Sequence, residues 1–258
     1  MKYAPLAVDL FCGLGGWTEG LLMEGYRVVG FDLERHRYPA REIPEGGDRK
    51  VRQSGVDFNN ANVGSSANRS FNYANECALR DAPLTGGWAE YPAQLVLQDV
   101  LTIHGRQFKD AALIVASPPC QEYSYMAMPW SRAKAIEADY KTGRRDVKQL
   151  TALFDACFRI QREASEAAGR HIPMVVENVR GAQKWVGRSR FHFGSFHLWG
   201  DVPALMPMTL KAIKNNGHTV SSSAKRGGSK SPARKAASAM IAKIPLTLSR
   251  HVAQVYHP

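Results

Sequence analysis

The chain has 258 residues, 44% of them hydrophobic, enough for one large α/β domain or for such a domain with a small appendage. Lys and Arg number 34 against 23 Asp and Glu, and the formal net charge of +11 points to a polyanionic partner, nucleic acid before membrane. Four cysteines without a Cys-x-x-Cys pair or a Cys/His ligand spacing argue against a structural zinc site, and with no signal peptide or membrane span visible a reducing cytoplasm is the expected compartment.

Ala7-Val8-Asp9-Leu10-Phe11 reads as a first strand. Cys12-Gly13-Leu14-Gly15-Gly16 follows, and then a helical pattern carrying Trp17, Leu21 and Leu22. A strand, a glycine-rich turn and a helix start make a nucleotide-type cradle, in which glycines admit the ligand to the backbone and the helix N-terminus offers free N–H groups. Arg27-Val28-Val29-Gly30-Phe31 reads as a second strand ending at Asp32-Leu33-Glu34, and an acid there is placed to hold a ribose hydroxyl. Thr18 or Glu19 stands where the last glycine of a dinucleotide fingerprint would be. That disfavours NAD and leaves other adenosine cofactors open.

His36 to Tyr91 is rich in Gly, Asn, Arg and Ser and is expected to be a partly ordered insertion. Ala93 to Leu97 reads as a third strand, with Gln98-Asp99-Val100 at its end. A fourth, Leu113-Ile114-Val115, runs into Ser117-Pro118-Pro119-Cys120. Two prolines cannot continue a strand, so Cys120 is set on a stiff loop past its C-terminal end. Met126 to Gly143 reads as a polar, mobile loop of the kind that closes over a reactive residue.

Apolar residues at Val147, Leu150, Leu153, Phe154, Cys157, Ile160 and Ala164 then keep helical spacing with one buried face, and Gly169 ends the helix. Cys157 on that face is core packing. Pro173 to Val176 reads as a fifth strand carrying Glu177-Asn178-Val179. An alternating stretch follows from Phe191 to Trp199, and a last helix from Thr247 to Val255. From Val202 onward the chain carries Lys211, Lys214, Lys225, Arg226, Lys230, Arg234, Lys235, Lys243 and Arg250 with no acid, the pattern of a phosphate-contacting arm or of a solvated tail.

Asp32, Asp99, Cys120 and Glu177 thus fall at successive strand ends, where open α/β sheets bind ligands. No histidine lies beside a strand end to serve Cys120 as a base; His104, His171 and His192 read as structural. In this order the residues resemble the cytosine-5 DNA methyltransferases, which use S-adenosylmethionine. Asp9-Leu10-Phe11-Cys12-Gly13-Leu14-Gly15-Gly16 is similar to the family's first motif, Pro118-Pro119-Cys120-Gln121 to its catalytic Pro-Cys motif, Glu177-Asn178-Val179 to its Glu-Asn-Val motif, and Arg188-Ser189-Arg190 to the end of its Gln-x-Arg-x-Arg motif.

The resemblance implies a Rossmann-like, S-adenosylmethionine-dependent methyltransferase sheet with helices on both faces and a small basic target-recognition appendage. It implies a cofactor set of Phe11, Gly13, Leu14, Gly15, Gly16, Asp32 (ribose), Leu33, Asp99 (adenine amino group), Val100 and Pro118, and no metal. Its catalytic set is Cys120 as nucleophile at cytosine C6, Glu177 at N3, Arg190 at O2, Arg188 in support, and Pro119 and Asn178. It further implies a monomer that flips a base out of double-stranded DNA in the cytoplasm of a bacterial or phage-infected cell, with restriction protection as a plausible role.

The implied organisation is a catalytic domain over 1–200 with the insertion at about 35–92, a reduced target-recognition segment over 201–243, and a C-terminal helix over 244–258 packing back. Two departures stand out. Val186 occupies the place of the motif's Gln, and Ile244-Pro245-Leu246 is all that remains of a C-terminal Gly-Asn-Ser-Val motif. The second keeps open a DNA-binding relative with impaired turnover, and the basic tail, which suits any polyanion, leaves open the same chemistry on RNA or with a modified methyl donor.

Overall fold

The computed structural model describes residues 3–36, 38–41, 84–89, 91–123, 130–207, 239 and 242–258. Two compact units partition the chain, one of residues 1–35 with 93–258 and one of residues 36–92. In the second, β3 (Tyr38–Arg41) pairs antiparallel with β4 (Leu84–Ala89). The rest of the expected insertion, and the expected appendage apart from residues 201–207, 239 and 242–243, lie outside the described residues.

The larger unit is built on β1 (Leu6–Leu10), β2 (Arg27–Asp32), β5 (Gln94–Leu97), β6 (Ala111–Ala116), β7 (Met174–Asn178), β8 (Phe191–Phe193) and β9 (Phe196–Gly200). They form one seven-stranded sheet in the order β5-β2-β1-β6-β7-β9-β8. The first five run parallel; β9 is antiparallel to β7 and closes a hairpin with β8. Strands covered on both faces read as unbroken apolar runs, which is why AALIVA and MVVEN were legible.

Side chains alternate between two cores. Val8, Leu10, Ile114, Ala116, Met174 and Val176 face one cluster; Ala7, Leu113, Val115 and Val175 face the other. Against the first packs α3 (Val147–Ala168) through Leu150, Phe154, Cys157, Ile160 and Ala164. Asp146 caps it by accepting the Lys148 N–H at 2.8 Å, and Gly169 ends it at φ 64°. Against the second pack α1 (Gly16–Met23) and α5 (Leu246–Val255) through Trp17, Leu21, Leu248 and Val252. This is the Rossmann-like α/β sheet with helices on both faces that the motifs imply.

One expectation is corrected. Trp130–Lys141, in the stretch read as a polar loop, is a helix, α2. Its buried side is made of Ala133, Glu137 and Tyr140, with Ile136 partly buried beside them, so no long apolar stripe marked it. Glu137 is buried with Lys134, Lys141 and Lys184 around its carboxylate, at 3.8, 2.8 and 3.1 Å. Residues 124–129 of that stretch lie outside the described residues.

Candidate active site

Strand order fixes where a ligand belongs. The chain passes from β1 to β2 to β5 on one side, then to β6 and β7 on the other, so the topological switch point lies between β1 and β6. The glycine turn follows β1 and the Ser-Pro-Pro-Cys loop follows β6. The register Leu10↔Phe31 and Leu10↔Ala116 sets both turns and Asp32 at one level of the sheet.

The glycine side is bound together by backbone. The Cys12 N–H donates to the Phe31 carbonyl at 3.0 Å, and the Gly13 N–H to Asp32 Oδ2 at 2.9 Å. Asp32 Oδ1 accepts the Leu33 N–H at 2.8 Å. Phe11 sits at φ 58°, a left-handed conformation that a bulky residue adopts only under constraint, and Gly13 and Gly15 follow at φ 48° and 70°. A Cβ on Gly13 would meet nothing nearer than the Phe11 carbonyl oxygen at 3.9 Å, so the turn opens onto space on that side. At Gly16 the reverse holds: a Cβ would lie 2.5 Å from the Ile244 backbone nitrogen. Ile244 therefore meets the end of the glycine turn through its backbone. Leu14 is buried.

Asp99 lies two residues past the end of β5. Its carboxylate accepts the Leu101 N–H at 2.9 Å and caps a 3-10 turn, Val100–Thr102. Val100 itself points into the core, while Leu33, Leu97 and Leu101 are exposed at this end of β2 and β5, where Asp32 pairs with Leu97.

The thiol side is bound by side chains. Ala116 pairs with Val176, so Ser117 and Glu177 are neighbours across β6 and β7. Trp17 Nε1–H donates to Ser117 Oγ at 3.0 Å and ties the glycine helix to this loop. Asn178 Nδ2 donates to the Pro118 carbonyl at 3.0 Å, a buried bond that fixes where the Pro-Pro-Cys segment departs. Beyond Cys120, the Tyr123 hydroxyl donates to the Leu150 carbonyl at 2.6 Å. A Cβ on Gly181 would lie 1.9 Å from the Tyr123 carbonyl oxygen, so the turn after Cys120 is packed directly on the turn after Asn178. Cys120 is partly exposed and Glu177 is buried.

Arg188 and Arg190 are both exposed, in the loop between α4 (Gln183–Val186) and β8. Arg190 lies close enough to Tyr256 for its charge to favour the ionised phenol, against the desolvation that raises that group. Two cations of the basic C-terminal series fall among the described residues, and both are engaged within the fold: Lys243 with Glu19 and Arg250 with Glu24, which lock α5 onto α1.

Sequence reading missed Asp9 as a titrating group. It lies in the centre of the sheet, wholly buried, with Oδ2 accepting from the Thr18 hydroxyl at 2.7 Å and Oδ1 without a hydrogen-bond partner among the described residues. Burial pushes its carboxyl up to about 7, against the opposing pull of Thr18. Cys157, packed under α3, is raised by burial and donates to the Leu153 carbonyl, which makes it an inert thiol. None of Cys12, Cys120 and Cys157 is in a disulfide.

No family model matches the chain, and no curated protein matches it. Solved structures do align. One is titled the Dnmt2 methyltransferase of S. pombe, at 13% identity and TM-score 0.31, covering 71% of this chain and 37% of that one. Another is the Entamoeba histolytica methyltransferase EhMeth, at 12% identity and TM-score 0.32, covering 72% of this chain and 41% of that one. The chain therefore spans about two fifths of the length of these methyltransferases.

Proposed function

We propose that this chain is an S-adenosylmethionine-dependent methyltransferase acting on C5 of cytosine in nucleic acid, with double-stranded DNA as the acceptor. The observation that carries the reading is the pairing of Ala116 with Val176 together with the Asn178–Pro118 bond. These set the Cys120 loop and Glu177 on adjacent strand ends beside the glycine turn.

The residues around the turn suit the cofactor. Gly13 leaves open space before a left-handed backbone, Asp32 stands beside it, and Leu33, Leu97 and Leu101 offer exposed apolar surface to a purine ring. Phe11, Gly13, Gly15 and Asp32 would hold the nucleoside, with Asp99 and Pro118 at its margins. Bound there, S-adenosylmethionine supplies an electrophilic methyl group.

The chain's own part follows from the chemistry of the base. C5 of cytosine is a weak nucleophile within an aromatic ring. Addition of the Cys120 thiolate to C6 breaks the aromaticity and gives C5 enamine character. Glu177, hydrogen-bonded at N3, stabilises the charge that develops in the ring from a buried, preorganised position. Once C5 carries the methyl group, loss of the C5 proton and expulsion of the Cys120 thiolate restore the ring. A base within a duplex cannot reach such a crevice, so it must be flipped out. Arg190 would hold the base at O2 with Arg188 in support, and the charge of both, with that of the basic stretch over 211–235, would offset the phosphates.

Incubation with labelled S-adenosylmethionine and mixed DNA and RNA, followed by digestion to nucleosides, tests this. 5-Methylcytosine from DNA, lost in Cys120→Ser, is the expected result. 5-Methylcytosine from RNA alone moves the acceptor, and label in any other nucleoside or none overturns the reading.

A further inference from the structure

The segment Arg188-Ser189-Arg190 has two exposed arginines flanking a half-buried serine. Among the described residues neither guanidinium makes a hydrogen bond or an ion pair, whereas the backbone around them is tied at Gly187, Ser189 and Arg190. Trp199 Nε1–H donates to the Gly187 carbonyl at 3.0 Å, and the Arg190 N–H donates to the Leu198 carbonyl at 2.9 Å. Gly187 itself lies at φ 88°.

At the centre is Ser189. Its N–H donates to Gln183 Oε1 at 3.2 Å, its Oγ lies 3.2 Å from the same Oε1, and its Oγ lies 2.9 Å from His197 Nδ1. The polarity of this network follows from valence. An N–H requires an acceptor, so the Gln183 atom it meets is the oxygen. The hydroxyl bridges that oxygen and His197 Nδ1, donating to one or the other according to the imidazole tautomer. His197 is itself buried in β9, where it pairs with Asn178.

We propose that Ser189, clamped by Gln183 and His197, is a positioning residue that presents Arg188 and Arg190 to the polynucleotide; this rests on the methyltransferase reading above. The clamp fixes the backbone that carries the two cations, so the ordering entropy of that backbone is met before the substrate arrives. Val186 stands where the resemblance places a glutamine. Gln183, one turn of α4 earlier, supplies the amide that tethers the arginine segment.

The test compares Ser189→Ala, Ser189→Thr and the Arg188→Ala/Arg190→Ala pair, with and without Ser189→Ala, in the full chain. Steady-state methyl transfer and polynucleotide affinity are both measured. The proposal expects Ser189→Ala to raise KM for the polynucleotide, and its Kd, about tenfold. kcat, cofactor affinity and Tm should change little, Ser189→Thr should restore KM, and Ser189→Ala should add nothing once both arginines are gone. A loss in kcat and Tm together, or an equal loss in the arginine-free background, overturns it. A wild-type chain that binds polynucleotide without transferring methyl sinks the methyltransferase reading, and the Kd series still decides the role of Ser189. Neither transfer nor binding overturns both.

Discussion

The two sides of the crevice are held by different means. The glycine turn is fixed by backbone hydrogen bonds and by backbone packed on backbone, Gly16 against Ile244 and Gly20 against Arg250. Its polar side chain, Asp32, is at once a structural acceptor and the acid that a ribose would meet. The thiol side is fixed by three side-chain bonds across long sequence separations, Trp17 to Ser117, Asn178 to Pro118 and Tyr123 to Leu150. The difference teaches that substitutions on the first side act on the fold, while those on the second act on the chemistry.

The sharpest break should come at Cys120. On the proposed function, Cys120→Ser should lower methyl transfer about a thousandfold or more, because it removes the proposed nucleophile, and leave Tm near wild type, since the side chain is partly exposed. Gly16→Ala does the opposite. The added Cβ drives into Ile244, destabilises the chain by about 3 kcal/mol, and loosens α5 as well as the turn, as seen in denaturant melts and in hydrogen exchange of 244–255. An active, fully stable Gly16→Ala chain would remove the distinction between the two sides.

Asn178→Ala is intermediate. It leaves the Pro118 carbonyl unpaired at a cost of about 1–3 kcal/mol, and lets the Pro-Pro-Cys loop drift. kcat should fall more than the stability loss explains, a separation visible by assaying well below Tm.

Asp9 sharpens the comparison through pH. Its folded-state carboxyl titrates near 7 against 3.8 when unfolded, so the folded chain holds the proton over that interval while the unfolded chain does not. Stability therefore falls as pH rises from about 4 to about 7 and levels above. Asp9→Asn should flatten this slope in melts taken across the window. The smallest effect belongs to the ion pairs. Lys243→Ala should cost about 0.5 kcal/mol, and less at high salt, because the pair is partly exposed.

Much of this was legible in the sequence. The five parallel strands, α3 and α5 announced themselves as apolar runs or as 3.6-residue periodicity. The four strand-end residues Asp32, Asp99, Cys120 and Glu177 fall where the runs end. What could not be read was cooperation across distance. Trp17 and Ser117 are 100 residues apart and Asn178 and Pro118 60, and nothing local marks either pair. Asp9 looked like any motif residue until the sheet closed over it. α2 hid because a glutamate among lysines, not a row of leucines, forms its inner face.

The central claim is that the Cys120 sulfur adds to cytosine C6. Random-sequence DNA and RNA in which 5-fluorocytosine replaces cytosine give the most direct measurement, because fluorine at C5 leaves no proton to remove and halts the reaction before the thiolate can depart. With S-adenosylmethionine present, the account predicts a denaturation-resistant complex whose peptide mass places the modified base on Cys120. Methyl transfer to ordinary cytosine with no such complex, or a complex mapped to another residue, would contradict it.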